Sequence, residues 1–259
     1  MIPYLLGLAL LLPQVGQGEE PADKRPSAEE VARAEGSLQD AFRSGDPRSI
    51  EAALLAAQTV PHPDVVRRIE RGLADERTEV RLATLQALRW IDDAEAVQSL
   101  HRAAKRRELM KDPEFAAAIL RGIGQHSDPS SVDVLARDPF EPNDHACRRA
   151  RIFGLARIRT REALEALLGI LAITNNGPKA ERRIQPQMDD MRVGLVVLTG
   201  VDQGLSPELW DSWWRKNKKT FVLPEDFPVL AKEMRQQWDG FWGQPRIYER
   251  ETRREDRGR

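Results

Sequence analysis

The chain has very little cysteine and very little tyrosine. Cys147 is the single cysteine, and two tyrosines occur among 259 residues. One cysteine cannot form an intrachain disulfide, and it excludes the CxxC pair of zinc sites and the CxxCH motif of haem attachment. Because free cysteine is among the most buried residue types, Cys147 is expected to be a small core residue on a helix.

Several catalytic signatures are also missing. The sequence has no H-E-x-x-H or H-x₃-H spacing, no G-x-S-x-G, no P-loop and no G-x-G-x-x-G. Asp144, His145 and Cys147 lie close together, but residues two apart on a helix point to different faces, so a capping aspartate and an exposed histidine are expected. We therefore predict no catalytic residue, no metal ligand and no cofactor.

The chain has no excess of charge of one sign. It also lacks the alternation of apolar and polar residues that is typical of strands. The formal net charge is −1, so no global field favours nucleic acid or an anionic membrane. Hydrophobic residues make up 41% of the chain, enough for a core, and charged residues make up 31%, which suits an elongated helical array. With no run that reads as a sheet, the sequence predicts an all-α protein.

A repeated pattern of helix pairs is present instead. Residues 80–100 read as two amphipathic helices joined by an Asp-Asp turn, with Leu85 and Leu88 on one face. Similar apolar positions recur at intervals of roughly 31 to 35 residues, a period typical of helical repeats. The predicted pairs are 47–58 with 63–74, 78–91 with 95–105, 113–124 with 129–137, and 144–157 with 160–172.

Helix starts carry a recurrent signal. Asp46-Pro47, Asp112-Pro113 and Asp128-Pro129 each place a capping residue before a proline, and His62-Pro63 has the same form. Ser27 with Glu30 forms a capping box for a first helix that is expected to end at Gly45. Gly122 and Gly154 occupy equivalent repeat positions, and small residues there would allow close helix packing.

The C-terminal part changes character. Asn, Gly and Pro residues predict a loop over 174–186, followed by helices over 187–199, from Ser206-Pro207 onward, and over 228–241. Trp210, Trp213 and Trp214 follow the spacing of a core-facing stripe, so they are expected to pack against the last repeat. Their aromatic faces leave a sugar-binding alternative open.

Two motifs resemble those of a known family. The V-R-x-A start at Val80 and the D-x-x-A-V-x-x-L run from Asp93 to Leu100 resemble HEAT repeats of the short bacterial type. Leu198-Thr199-Gly200 followed by W-x-x-W-W is similar to the C-terminal segment of exported bacterial HEAT-repeat proteins. The resemblance implies a right-handed α-α superhelix with a helical C-terminal cap, and it implies no defined activity.

The N-terminal residues predict export. Residues 2–12 are apolar and uncharged, too short to span a bilayer, and small residues follow at 16 and 18. This layout indicates a signal peptide, hence a periplasmic or secreted protein, with a buried N-terminal helix as the alternative. The predicted organisation is signal peptide 1–18, linker 19–26, repeat domain 27–173, Trp-rich cap 187–243 and disordered charged tail 244–259.

Basic residues cluster on two neighbouring repeats. Stacking of repeats can align such residues into one positive stripe that binds phosphate or an acidic partner, and a solvated helix face is the alternative. The candidate partner-binding face comprises Arg102, Lys105, Arg106, Arg148, Arg149 and Arg151, with Arg107 and Lys111 beside the first three.

The most economical function is a non-catalytic one. A stacked helical array offers a wide preformed surface but few convergent polar groups, so we expect a monomeric scaffold for a protein partner. Nucleic acid and stable membrane insertion after signal cleavage are not expected. Two other classes stay open: an enzyme of HEAT-like lyase or hydrolase type, and a glycan-binding module that uses the C-terminal tryptophans.

Overall fold

The computed structural model describes residues 25–175 and 180–243, without the side chains of 174–186. The predicted signal peptide, most of the linker and the charged tail therefore lie outside the described residues. The all-α class is confirmed, because these residues form thirteen α-helices and no strand. The helices are α1 (Ala28–Ser44), α2 (Pro47–Ala57), α3 (Pro63–Glu70), α4 (Thr78–Trp90), α5 (Ala94–Ala104), α6 (Arg107–Met110), α7 (Pro113–His126), α8 (Val132–Ala136), α9 (His145–Ile158), α10 (Arg161–Asn175), α11 (Ala180–Thr199), α12 (Pro207–Asn217) and α13 (Lys232–Trp242).

The predicted helix starts at Ser27, Asp46, His62 and Asp112 are confirmed in atomic detail, whereas Asp128-Pro129 begins a 3-10 turn, Pro129–Ser131, that precedes α8. The Ser27 hydroxyl accepts a bond from the Glu30 backbone N–H at 3.2 Å, while the Ser27 N–H donates to the Glu30 carboxylate at 2.7 Å. Asp46 accepts from the Ser49 N–H at 3.0 Å, with Pro47 at the first helical position. Gly45 ends α1 with φ of 70°, a left-handed conformation that glycine adopts without steric cost.

The four predicted helix pairs are confirmed as α2 with α3, α4 with α5, α7 with α8, and α9 with α10. Three details differ. A one-turn helix, α6, stands between the second and third pairs, and the last predicted helix begins at Lys232 rather than at 228. The loop predicted over 174–186 was wrong, because α10 extends to Asn175 and α11 begins at Ala180. The Ala, Glu, Arg and Gln residues at the start of α11 are strong helix formers, and they outweigh the breakers nearby.

The helices pack in two sets. In the first set, α2, α4, α7, α9 and α11 each contact the next, and in the second set α3 contacts α5, while α10 contacts α8 and α12. Leu85, Leu120 and Leu164 are fully buried between them. Each hairpin thus covers the apolar stripe of its neighbour, and the core runs the length of the stack.

Two glycines allow the closest approach in the stack. A Cβ atom on Gly124 of α7 would lie 2.5 Å from the Cα of Gly154 in α9 and 3.0 Å from the Trp242 ring. The expected role of small residues is therefore seen here, although α7 and α9 are neighbours in the first set rather than partners in one pair. The two helices could not approach this closely with a side chain at residue 124.

The last helix, α13, does not pack at the end of the stack. α12 contacts α10, whereas α13 lies against the first set. Its residues bond to Arg89 of α4, Arg121 of α7, Arg149 of α9 and Asp190 of α11. α13 therefore covers four helices that are far apart in sequence, and we call the surface beneath it the covered face.

Candidate functional site

A cleft of about 600 Å³ is lined by residues from α5 to α9. α6 forms one flank, and the segment that follows α8 forms another. We call it the basic cleft. It is lined by His101, Ala104, Lys105, Arg107, Met110, Lys111, Leu120, Val134, Arg137, Asp138, Glu141, Pro142 and Arg151.

Positive charge dominates the lining. Five cationic side chains face two carboxylates, those of Asp138 and Glu141, which leaves an excess of three positive charges. Four of the cations have no carboxylate oxygen within 4.0 Å among the residues that the structure describes: Lys105, Arg107, Lys111 and Arg137. A concave surface lined by one sign of charge raises the local concentration of ions of the other sign.

Arg151 is the buried cation of this cleft. Its side chain is 4% exposed, and its guanidinium donates to the carbonyl oxygens of Leu135 at 3.0 Å and Glu141 at 2.8 Å. The Nε–H is buried without a hydrogen-bond partner in the described part of the chain. Burial lowers the pKa of Arg151, because the charged form loses solvation that carbonyl dipoles replace only in part.

His101 is another buried residue of the lining. Its Nε2 is 2.8 Å from the Ser131 hydroxyl oxygen, and burial lowers its pKa, which favours the neutral ring. This serine–histidine pair resembles a nucleophile with its base, but Ser131 is fully buried and does not line the cleft. The pair is therefore a structural hydrogen bond that fixes the ring in the wall.

The six predicted partner-binding residues do not form one surface. Arg102 is 2.6 Å from a Glu70 carboxylate oxygen and 2.8 Å from that of Glu95, and Arg106 is 2.8 Å from Glu108. Of the six, only Lys105 and Arg151 line the basic cleft. The prediction that Arg151 belongs to an exposed partner-binding face was wrong, because its side chain is buried.

The remaining two lie near the start of α9. Arg148 donates to the side-chain oxygen of Asn143 at 2.8 Å. Arg149 is 3.1 Å from the buried carboxylate of Asp190, on the covered face. Packing of the helix pairs thus separates arginines that are adjacent in sequence, while it brings in Arg137, which sequence reasoning missed because it stands alone after a short helix.

A second cleft, of about 720 Å³, lies between α13 and the helices α7 and α9. Arg121, Arg149 and His145 line it together with Glu114, and the His145 Nε2 is 3.5 Å from the Asp190 carboxylate. This places His145 beside one buried carboxylate, in a cleft that Glu114 also lines. No group of three His, Cys, Asp or Glu side chains within the described residues is close enough to hold a metal ion.

The expected roles of Asp144 and Cys147 are confirmed. Asp144 caps α9 by accepting from the Cys147 backbone N–H at 3.0 Å, and the Cys147 thiol donates to the Pro113 carbonyl oxygen at 3.3 Å. Burial raises the pKa of Cys147 to about 12. The thiol therefore stays protonated near neutral pH and is a core group rather than a nucleophile.

The tryptophans are mostly interior. Trp210, Trp238 and Trp242 are buried, while Trp213 and Trp214 are half-buried and pack on Phe221. The indole N–H of Trp210 donates to the Gly204 carbonyl oxygen at 2.9 Å. Among the tryptophans of the described residues, Trp90 is the exposed one, with 40% of its surface accessible.

No protein-family model matches the chain, and no curated protein matches it. Among the helices that the structure describes, none combines the length and the apolar composition that crossing a membrane requires. The candidate site therefore depends on the geometry and charge of the basic cleft.

Proposed function

We propose that the chain is a non-catalytic interaction scaffold that receives an acidic segment of a protein partner in the basic cleft. The proposed architecture is a right-handed HEAT-like superhelix with a helical C-terminal cap, supported by the period of the helix pairs and by their packing in two sets. Export is part of the proposal and comes from the apolar residues 2–12.

The observation that carries the proposal is the lack of ion-pair partners for Lys105, Arg107, Lys111 and Arg137 in the described chain. Elsewhere on the same repeats, Arg102 and Arg106 are each paired with glutamate. Surface cations that repel one another cost stability, so a cluster left unpaired in a concave site is typical of binding rather than of folding.

Binding of an oligoglutamate peptide, measured by fluorescence anisotropy at low and physiological salt, tests the proposal. The double variant Lys105→Glu/Arg137→Glu should weaken binding by about tenfold or more, because each change turns attraction into repulsion. The matched control is Lys216→Glu/Lys219→Glu, which reverses two exposed lysines on and after α12.

Binding to wild type and to the control should weaken as salt is added, since exposed charges are screened. Equal affinity in both double variants would contradict the proposal, and so would the absence of any binding at low salt. Capture of a natural partner from the organism's envelope fraction would then identify the protein.

A second candidate function, a hydrolase or lyase, is favoured by one observation. His145 and Glu114 line the cleft beneath α13, and the His145 Nε2 is 3.5 Å from the buried carboxylate of Asp190, so a histidine positioned by a carboxylate could act as a base there. Activity on model esters and uronides that disappears in His145→Ala would support it. The glycan-binding alternative is disfavoured by the burial of three of the five C-terminal tryptophans.

A further inference from the structure

We infer that the inner wall of the basic cleft is a subsite for one phosphoryl group, carried by the acidic segment that the cleft receives. The inner wall comprises the buried lining residues His101, Leu120 and Arg151. The inference rests on the proposed function and adds the chemistry of the group that is bound. It concerns binding alone.

The first argument is an unused donor on a buried charge. Arg151 bonds to three carbonyl oxygens, those of Val134, Leu135 and Glu141, but its Nε–H has no acceptor among the described residues. A buried donor without a partner is destabilising, and more so when the group is charged. The Nε atom itself is closed to solvent, so what an oxyanion at the wall would supply is the counter-charge that Arg151 lacks within 4.0 Å among the described residues.

The second argument is the arrangement of the exposed cations. Lys105 follows α5, Arg107 and Lys111 flank α6, and Arg137 follows α8, so the positive groups come from three parts of the chain around one cavity. A tetrahedral dianion presents oxygens in several directions and can use donors on several sides. A carboxylate presents two oxygens in one plane and suits a single arginine fork.

The third argument is the placement of the acidic groups. Asp138 and Glu141 also line the cleft, but both side chains are exposed, whereas Arg151 is buried. The charged side chain of the inner wall is therefore that of Arg151, whereas both carboxylates lie toward the opening together with four exposed cations. Two carboxylates at the opening favour a ligand that concentrates its charge at one point over one that spreads it along the cleft.

The cleft also has room beyond the subsite. A volume of about 600 Å³ is within the range of ligand pockets and exceeds what one phosphoryl group fills. The rest of the cleft can hold the flanking residues of the segment. Transfer of the phosphoryl group is not proposed, because Ser131, the hydroxyl nearest His101, is buried outside the lining.

The experiment is titration of the full chain with inorganic phosphate at constant ionic strength. Calorimetry measures the affinity, and the midpoint of thermal unfolding gives a second readout. Phosphate should raise the midpoint of wild type and of the control Lys216→Met/Lys219→Met. The rim variant Lys105→Met/Arg137→Met should bind phosphate about tenfold more weakly. Arg151→Lys, which keeps the charge but removes the Nε–H, should also bind more weakly, and if it fails to fold the rim variant decides.

A phosphoserine peptide with glutamates on both sides should bind at least tenfold more tightly than the same peptide with serine. Inorganic sulfate should compete with it, since sulfate has the same shape and charge as the phosphate dianion. Equal affinity of the phosphorylated and unphosphorylated peptides overturns the inference while the proposed function stands. If the protein binds phosphate but neither peptide, the proposed function is overturned and the cleft is a site for small anions only. If the rim variant binds phosphate as tightly as wild type does, the inference itself is overturned.

Discussion

The covered face and the basic cleft use the same residue types in opposite ways. On the covered face, Arg89 donates to the Trp242 carbonyl oxygen at 2.7 Å, Arg121 donates to the Phe241 carbonyl oxygen, and Arg157 stands 4.7 Å from the Trp242 ring. In the basic cleft, by contrast, Lys105 and Arg137 have no such partner in the described chain.

The difference shows that arginine content alone does not identify a binding surface in this molecule. The partially negative C-terminal end of α13 and its aromatic rings contact the arginines beneath it, so their charge is used inside the protein, although the Nε–H groups of Arg89, Arg121 and Arg149 make no hydrogen bond among the described residues. Burial, together with Arg121 and Arg157, lowers the pKa of Arg89 to about 10. Cations that remain unpaired in a concave site are the ones left for a ligand.

The largest effect is expected at the covered face. Trp242→Ala should lower the free energy of unfolding by about 3–5 kcal/mol, because the side chain is fully buried against Gly124, Phe241 and Arg157. Trp90→Ala, at an exposed indole, is the control and should cost much less. Urea denaturation followed by circular dichroism measures both, and equal losses would mean that α13 contributes little to the fold.

The close helix approach beneath α13 gives the next effect. Gly124→Ala should cost about 1–3 kcal/mol, because the new methyl group meets the backbone of Gly154 and the helices must move apart. The control is Gly36→Ala in α1, where a Cβ meets nothing within 4 Å. It should raise stability by about 0.5–1 kcal/mol through helix propensity, and a Gly124 variant as stable as that one would rule out the observed packing.

Removing a positive charge should change the free energy of unfolding less at the unpaired cations of the cleft than at a cation that forms ion pairs. Lys105→Met/Arg137→Met should change the free energy of unfolding by less than about 0.5 kcal/mol, as surface changes do. Arg102→Met, on the same repeat, should cost up to about 1 kcal/mol, because it breaks the ion pairs with Glu70 and Glu95. Thermal melts at low and high salt compare them, and a large loss in the cleft variant would show that its cations serve folding.

The smallest effect is a pH dependence at the edge of α13. Asp190 is 3% exposed and faces Arg149, His145 and Gln237, with Asp189 beside it in sequence. Burial raises its pKa despite Arg149. A raised pKa means that the folded state binds the proton more tightly, so the stabilising contribution is present at acid pH and is lost as pH rises.

Wild type should therefore lose stability relative to Asp190→Asn as the pH increases above about 4, the ordinary pKa of aspartate. Unfolding free energies of the two proteins across the acid-to-neutral range measure the trend. A gain for wild type over that range would show that the ion pair with Arg149 outweighs the cost of burial.

Local signals made much of the fold predictable. Asp-Pro pairs and the capping box act within a few residues, so the starts of α1, α2 and α7 follow from the sequence. The position of α13 does not, because it depends on bonds from Arg89 and Arg121 to carbonyl oxygens more than a hundred residues away in the chain.

The site was predictable only in part, for the same reason. Arg102 and Lys105 are neighbours on one helix face, yet Glu70, from an earlier repeat, pairs with one and not with the other. Which cations stay unpaired is decided by contacts between repeats, and these are invisible in a single repeat. Arg137 joins the cleft only because the segment after α8 folds against α5 and α6.

The position of α13 also has a consequence for how the chain matures. A polypeptide is made from its N-terminus, and its parts begin to fold in that order. α13 comes later in the sequence than all four helices that it touches, so Phe153 lacks its contacts with Trp238 and Phe241 while the earlier helices assemble. A nascent chain halted before residue 232 would expose to water the apolar surface that α13 covers, and this surface would be a target for chaperones or for aggregation.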